Sequence, residues 1–316
     1  MKICVIGGVT STQLIIELLS ENGFEDVNVY AYTPLRVKEV SAWVDLKDIT
    51  YERKYKYIPF VKISDQVNSI KEYNPEIIFI VGLSQLIPSE IINIPELGCI
   101  GYHPTLLPYG RGRAPIAWLL LDNSNQGAAT LFKIAKGIDD GPILSQVPYP
   151  VTDSDTAGTL EKKSLEALSK AFYEVILKIK EMKLNYFTQD DHKATWYGAR
   201  SPADGLIDWC CDAVLINKLI RSATKPHPGA YFYSNDSKII VWSSEVVKYN
   251  HTKGVVGKIL LINKDRSFLV QCGADSYLKV IDWVSDSDWT PKVGIYLSYR
   301  VQDEIYLLNQ KLERIE

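Results

Sequence analysis

Through its first half the chain alternates short apolar runs with longer amphipathic ones. Lys2 to Ile6 ends at Gly7-Gly8, and Thr12 to Leu19 then repeats apolar residues at helical spacing. This reads as strand, glycine turn and helix. Asp26 to Tyr32 reads as a second strand and Val61 to Tyr73 as a helix. Glu76 to Val81 (EIIFIV) is nearly all apolar, as a strand covered on both faces should be. Gly98 to His103 and Ala128 to Ile134 give two more strands. Such alternation predicts an α/β fold, a doubly wound and mostly parallel sheet.

From Thr156 to about Lys183 the pattern is one long amphipathic helix, and beyond Tyr186 it changes to a polar stretch, TQDDHKATWYGARSPADG. A further helix is predicted near Ala213 to Ala223. After Pro226-His227-Pro228-Gly229 come short runs rich in Tyr, Val, Ile and Trp, among them AYFY, KIIVW, SFLVQC and YLKVIDW. Their spacing predicts a smaller β-rich domain, either a barrel or a sandwich. The boundaries expected are a first domain over 1–185, a linker over 186–203 and a second domain over 204–316.

Composition narrows the function classes. The 316 residues leave room for two domains, and 46% apolar residues with 23% charged ones argue against extensive disorder. A net charge of −3 lacks the basic excess of a nucleic-acid binder, so DNA is not an expected partner and a small-molecule substrate is favoured. Five cysteines, at 4, 99, 210, 211 and 272, are odd in number and fall at no metal-ligand spacing. They suggest a reduced, cytoplasmic protein that binds no metal. Neither a signal peptide nor an apolar run of roughly 18 residues is expected from the sequence, so no membrane association is predicted.

Three groups carry candidate chemistry. Gly7-Gly8 follows a strand but lacks the spacing of a dinucleotide fingerprint, so it reads as a tight turn with Ser11 or Thr12 as helix N-cap. His103 lies where an apolar strand gives way to a Pro-rich loop, the usual place for ligand-facing groups in an open α/β sheet. Arg111 and Arg113 stand either side of Gly112, a doublet suited to anionic groups. Asp139-Asp140-Gly141 follows a further strand and would form a turn in any case.

Taken together, GYHPTLLPYGRGRAPIAW (101–118) and KGIDDGPIL (136–144) resemble the folate-dependent formyltransferase family. That family includes methionyl-tRNA formyltransferase, sugar-nucleotide N-formyltransferases and hydrolase-type 10-formyltetrahydrofolate enzymes. Its motif is Asn-x-His with Ser-Leu-Leu-Pro, an Arg-Gly-x-x-Pro loop and a later Asp-x-Gly. His103, Thr105-Leu106-Leu107-Pro108, Arg111 to Pro115 and Asp139 with Gly141 take those places. LIPSEIINIPELG (86–98), DGLIDW (204–209) and KPHPGAY (225–231) extend the likeness over nearly the whole chain.

The resemblance implies a Rossmann-like formyltransferase domain and an OB-like second domain. It implies N10-formyltetrahydrofolate as formyl donor, with His103 and Asp139 as the catalytic pair. The folate would lie against Gln85, Leu86 and Ile87, with Ala135, Lys136, Gly137, Ile138 and Asp139 at its pterin end. Arg113 would contact cofactor or substrate, and Arg111 and Tyr102 are candidates for substrate contact. One residue departs: Gly101 stands where the family has asparagine, so the amide expected to donate to the developing oxyanion is missing. Hydrolase-type relatives also lack it and carry Tyr-His-Pro, as Tyr102-His103-Pro104 does here.

The acidic balance and the lack of a lysine-rich insertion make tRNA an unlikely acceptor by this reading. RGRAPIAW (111–118) and KIIVWSS (238–244) resemble segments of the enzyme that formylates UDP-4-amino-4-deoxy-arabinose. The acceptor implied is a nucleotide-linked amino sugar of a surface-polysaccharide pathway. Formylfolate hydrolysis, methionyl-tRNA formylation and an inactive folate- or sugar-nucleotide-binding homologue are the alternatives. Apolar patches on the long helix or the β-rich domain would support a homodimer.

Overall fold

Apolar strands one or two turns apart from amphipathic helices have one economical solution, a sheet with helices on both faces, and the first part of the chain adopts it. The structure, a computed structural model, describes residues 1–37, 40–234, 237–249, 251, 253–297 and 301–312. They fall into two units, Met1–Arg200 and Ser201–Glu316.

In the first unit β1 (Ile3–Gly7), α1 (Thr10–Glu21), β2 (Val27–Tyr32), α2 (Lys47–Glu52), β3 (Lys56–Phe60), α3 (Val67–Tyr73) and β4 (Ile77–Ile80) follow in turn. Next come α4 (Ser89–Ile92), β5 (Cys99–His103), the two-residue β6 (Arg111–Gly112), α5 (Pro115–Leu121), β7 (Gln126–Lys133) and β8 (Ile143–Pro150). The long α6 (Ala157–Lys180) and the short β9 (Trp196–Tyr197) complete it. Seven strands form one sheet in the order β3-β2-β1-β4-β5-β7-β8. β1 to β5 run parallel, and β7 runs against both β5 and β8. The order reverses between β1 and β4, the topological switch at which open α/β sheets hold ligands beyond their strand ends.

Side chains on one face of this sheet, such as Val5, Phe79, Ile100 and Leu131, share a core with Ile15 and Ile16 of α1 and Leu168 and Phe172 of α6. Phe79 and Phe172 meet edge to face at 4.9 Å. Cys4, Ile6, Ile78 and Cys99 on the other face pack with Ile70 of α3 and Ile91 of α4. Burying each such aliphatic or aromatic side chain contributes about 1.5–3 kcal/mol, which is why a near-continuous apolar run folds as an interior strand. At the start of α6 the Thr156 hydroxyl accepts from Thr159 N–H, and Thr159 Oγ1 accepts from Thr156 N–H, so two orphan donors are satisfied.

Three local expectations are corrected. Helix α1 begins at Thr10, so Ser11 and Thr12 lie inside it; Thr12 Oγ1 instead donates to Val81 O at 2.6 Å, tying the helix to the end of β4. The helix expected over 61–73 is split into a 3-10 turn, Ile63–Gln66, and α3. Residues 187–197 of the expected linker are not a free tether. Phe187 and Ile143 exchange backbone hydrogen bonds, and β9 pairs with β6, so this stretch is a strap across the first unit.

The second unit holds α7 (Ala213–Ala223), β10 (Ala230–Ser234), β11 (Ser237–Val246), β12 (Ile259–Ile262), β13 (Phe268–Cys272), β14 (Ser276–Ser285) and α8 (Val301–Leu312). Its strands make one antiparallel sheet, β10-β11-β14-β13-β12. Ile216 and Ile220 of α7 join its core, together with Trp209, Phe232 and Phe268. Asp212 caps α7 by accepting from Val214 N–H at 2.7 Å.

Candidate active site

Strand alternation decides which residues of β5 face the site. Gly101 and His103 share one face and Tyr102 the other. The Tyr102 hydroxyl meets Ser164 Oγ of α6 at 2.5 Å, among the helices. Burial pushes its phenol well above the ordinary tyrosine value, while the Ser164 hydrogen bond acts the other way. Tyr102 is therefore a packing residue held neutral, and its expected contact with substrate is corrected.

The loop after His103 has almost no regular structure, and polar side chains of the neighbouring strands fix its backbone. Thr130 Oγ1 donates to Thr105 O at 2.7 Å, Gln146 Nε2 donates to Leu107 O at 3.0 Å, and Tyr149 Oη donates to Pro104 O at 2.7 Å. The strap completes the hold. Gly110 N–H donates to Thr195 Oγ1, Arg111 N–H to Thr195 O and Arg113 N–H to Tyr197 O. Gly110 and Gly112 both have positive φ, and a β-carbon on Gly112 would collide with Tyr197 O, so glycine is required there.

This scaffold sets the two nitrogens of His103, which is 6% exposed. Nε2 lies 2.8 Å from Gly110 O, and Nδ1 lies 3.5 Å from Asp139 Oδ2. A carbonyl can only accept, so a neutral His103 keeps its proton on Nε2. Nδ1 is then left without a proton of its own and faces the Asp139 carboxylate. Asp139 is itself fixed: Oδ2 accepts from Gly112 N–H at 2.8 Å, and its backbone sits at φ +52°. The two loops thus converge on one imidazole.

Phe132, opposite Gly101 in the pairing of β5 with β7, and Ile134 wall this face of β5. Both belong to an apolar cluster with Leu107 and Ile143. The atoms that a side chain at 101 would meet first are therefore apolar.

Among the other residues singled out in the sequence, Arg111 is corrected most. It is 3% exposed, and its guanidinium donates to Gln189 Oε1 and to Asp191 Oδ1 at 2.7 Å. It is a buried tie rather than a mobile anion hook. Gln85 is also engaged: Oε1 accepts from Ile63 N–H and Nε2 donates to Val61 O, which staples the loop after β4 to the loop after β3. Leu86 is 90% exposed and Ile138 61% exposed, whereas Ile87 leans on the core beneath it. Arg113 and Ala135 to Gly137 are exposed, and Arg113 makes no ion pair among the described residues. No group of three or more His, Cys, Asp or Glu there is arranged to hold a metal, and no helix there is long and apolar enough to cross a membrane.

Sequence reading passed over Gln189, Thr195 and Phe132. The first two lie in a polar stretch without periodicity, and Phe132 reads as one more apolar strand residue. The one available signal was Gly101 itself, since a missing side chain in a buried strand asks what fills the gap.

An imidazole between a backbone carbonyl and a carboxylate, at the end of an interior strand of a doubly wound sheet, is an arrangement suited to moving protons. Residues 1–176 match the formyl transferase family, and residues 200–285 match the family described as formyl transferase, C-terminal domain. The chain belongs to the formyl transferase family, the one its motifs resemble. Several solved enzymes share its fold. WlaRD, a sugar 3N-formyl transferase solved in the presence of dTDP and 5-N-formyl-THF, superposes with a TM-score of 0.68 at 18% identity, over 89% of this chain and 97% of that one. An N-formyltransferase from Helicobacter canadensis, solved with folinic acid and dTDP-3-aminofucose, gives 0.66 at 18%, over 89% and 99%. Methionyl-tRNA formyltransferase from Clostridium thermocellum gives 0.56 at 21%, over 80% and 95%.

Proposed function

We propose that this enzyme moves the formyl group of N10-formyltetrahydrofolate to the amine of a nucleotide-linked amino sugar, with His103 Nδ1 as the proton carrier. The observation that carries this reading is the pinning of Nε2 by Gly110 O, which leaves Nδ1 as the ring nitrogen that faces Asp139. The folate supplies an activated formyl carbon, and the exposed Leu86 and Ile138 on the loops flanking β5 suit its flat apolar faces. Ile87, Arg113 and the 135–138 stretch complete that binding region in this reading.

In the transfer the acceptor nitrogen bonds to the formyl carbon and the bond from that carbon to N10 breaks. The electron pair stays on N10, which gains a proton, and the amine loses one. His103 Nδ1 takes the amine proton and returns it to N10. Asp139 stabilises the imidazolium between those two events, and Gly110 holds the ring's orientation throughout. With Gly101 lacking an amide, the imidazolium formed once Nδ1 holds the amine proton is the positive charge this reading sets against the oxyanion.

Incubation with formylfolate and a panel of UDP-, dTDP-, GDP- and CMP-linked amino sugars tests the proposal. Formylation of at least one sugar is expected, with formate release at background when no amine is present. Formylation of initiator methionyl-tRNA alone would overturn the choice of acceptor. Rapid formate release without amine would favour hydrolysis, and folate binding without any turnover a binding-only homologue.

A further inference from the structure

One side chain of the strap reaches both loops that hold His103. Gln189 is 7% exposed and uses its full hydrogen-bonding capacity. Oε1 accepts from Arg111 Nε at 3.1 Å and from Arg111 Nη2 at 2.8 Å. Nε2 donates to Asp139 O and to Gly141 O, each at 2.7 Å. The amide cannot be flipped, because that would face its NH2 towards a guanidinium and its oxygen towards two carbonyls.

We propose that Gln189 is the positioning residue that sets Asp139 in register with the Gly110–Arg111 segment. It thereby fixes both partners of the His103 ring. Arg111 follows directly on Gly110, whose carbonyl holds Nε2, and Asp139 faces Nδ1. Asp139 also sits at positive φ, a conformation that costs a non-glycine residue energy and persists only where surroundings hold it. The Gln189 bond to Asp139 O supplies that hold. Only a carboxamide satisfies both sides, since one face must accept from a guanidinium while the other donates to two carbonyls, and asparagine is one methylene shorter. A glutamate would keep the first set and oppose the second. The consequence for turnover rests on the formyl-transfer reading; the effect on His103 does not.

The test compares wild type with Gln189→Leu and Gln189→Glu. It reads kcat and KM for formyl transfer, the titration of His103 by histidine 15N NMR, and the thermal midpoint. Both variants are expected to lower kcat by about 100-fold, as a small misplacement of reacting groups does, with KM for the formyl donor little changed. Both are also expected to shift the His103 titration. Gln189→Glu should do so although it keeps its link to Arg111. Should the variants unfold, side-chain amide exchange in wild type decides: slow exchange at Gln189 is expected, and exchange at the rate of a solvated amide overturns the proposal. A folded Gln189→Glu with wild-type kcat and an unmoved His103 titration overturns it equally. Wild type inactive on every amine would defeat the formyl-transfer reading and leave the NMR result to decide this one.

Discussion

The ring of Phe132 stands on the ground that a side chain at residue 101 would need. A β-carbon on Gly101 would lie 3.1 Å from Phe132 Cζ and 3.1 Å from Ile134 Cγ1, closer than ordinary packing. Replacing Gly101 by asparagine, the residue the family carries there, is therefore expected to destabilise rather than to restore an oxyanion donor. Overpacking of this kind costs about 1–3 kcal/mol. The double variant Gly101→Asn with Phe132→Ala should lose less stability in a thermal or urea melt than the two single losses added together. Additive losses in the double-mutant cycle would show that the two positions do not compete for space.

Gly112 links Asp139 to the strap twice over. Its N–H holds Asp139 Oδ2, and its φ of +108° lets the chain pass against Tyr197 O. Gly112→Ala should part β6 from β9, lower the thermal midpoint and reduce kcat by more than tenfold, because the carboxylate loses its fixed position. Limited proteolysis reads the first effect directly: cleavage within 187–197 is expected in the variant and not in wild type. A variant as resistant and as active as wild type would contradict this account of the strap.

The sheet was legible in the sequence because burial writes it there. EIIFIV and the run before His103 are apolar on both faces and can only be interior strands, and α7 occupies the Ala213 to Ala223 interval expected of it. His103 and Asp139 were legible as a pair only through the family resemblance, since their approach in space depends on two irregular loops. Gln189 was hidden for a related reason. The strap is held by amide, hydroxyl and guanidinium groups bonding to loop backbones, and such contacts leave no period in the chain. Arg111 was misread because two arginines around a glycine suggest a solvated loop, whereas the guanidinium is buried by partners some eighty residues further along.

Alkaline pH should weaken the fold in part through its buried thiols. Burial pushes the Cys99 thiol from 9.0 up to about 12, with Lys133 opposing, and burial likewise raises Cys272 to about 12 against a backbone hydrogen bond from Leu278. The native state keeps these protons where the unfolded chain releases them. Their contribution is complete below pH 9 and is lost as pH rises towards 12, by as much as ~4 kcal/mol for each thiol. Urea melts between pH 9 and pH 10 should show falling stability, with a shallower slope in Cys99→Ala/Cys272→Ala. Equal slopes would contradict the assignment.

The central claim is that His103 Nδ1 carries the proton of formyl transfer opposite Asp139. Product mass spectrometry under multiple-turnover conditions tests it most directly, with formylfolate, the best amino-sugar nucleotide, and wild type beside His103→Asn and Asp139→Asn. Wild type should add one formyl group to the sugar amine. Each variant should remain folded and bind the folate while its turnover falls by about 10²–10⁴-fold, the usual worth of a positioned acid–base group. Turnover within a few-fold of wild type in a folded His103→Asn protein would contradict the account.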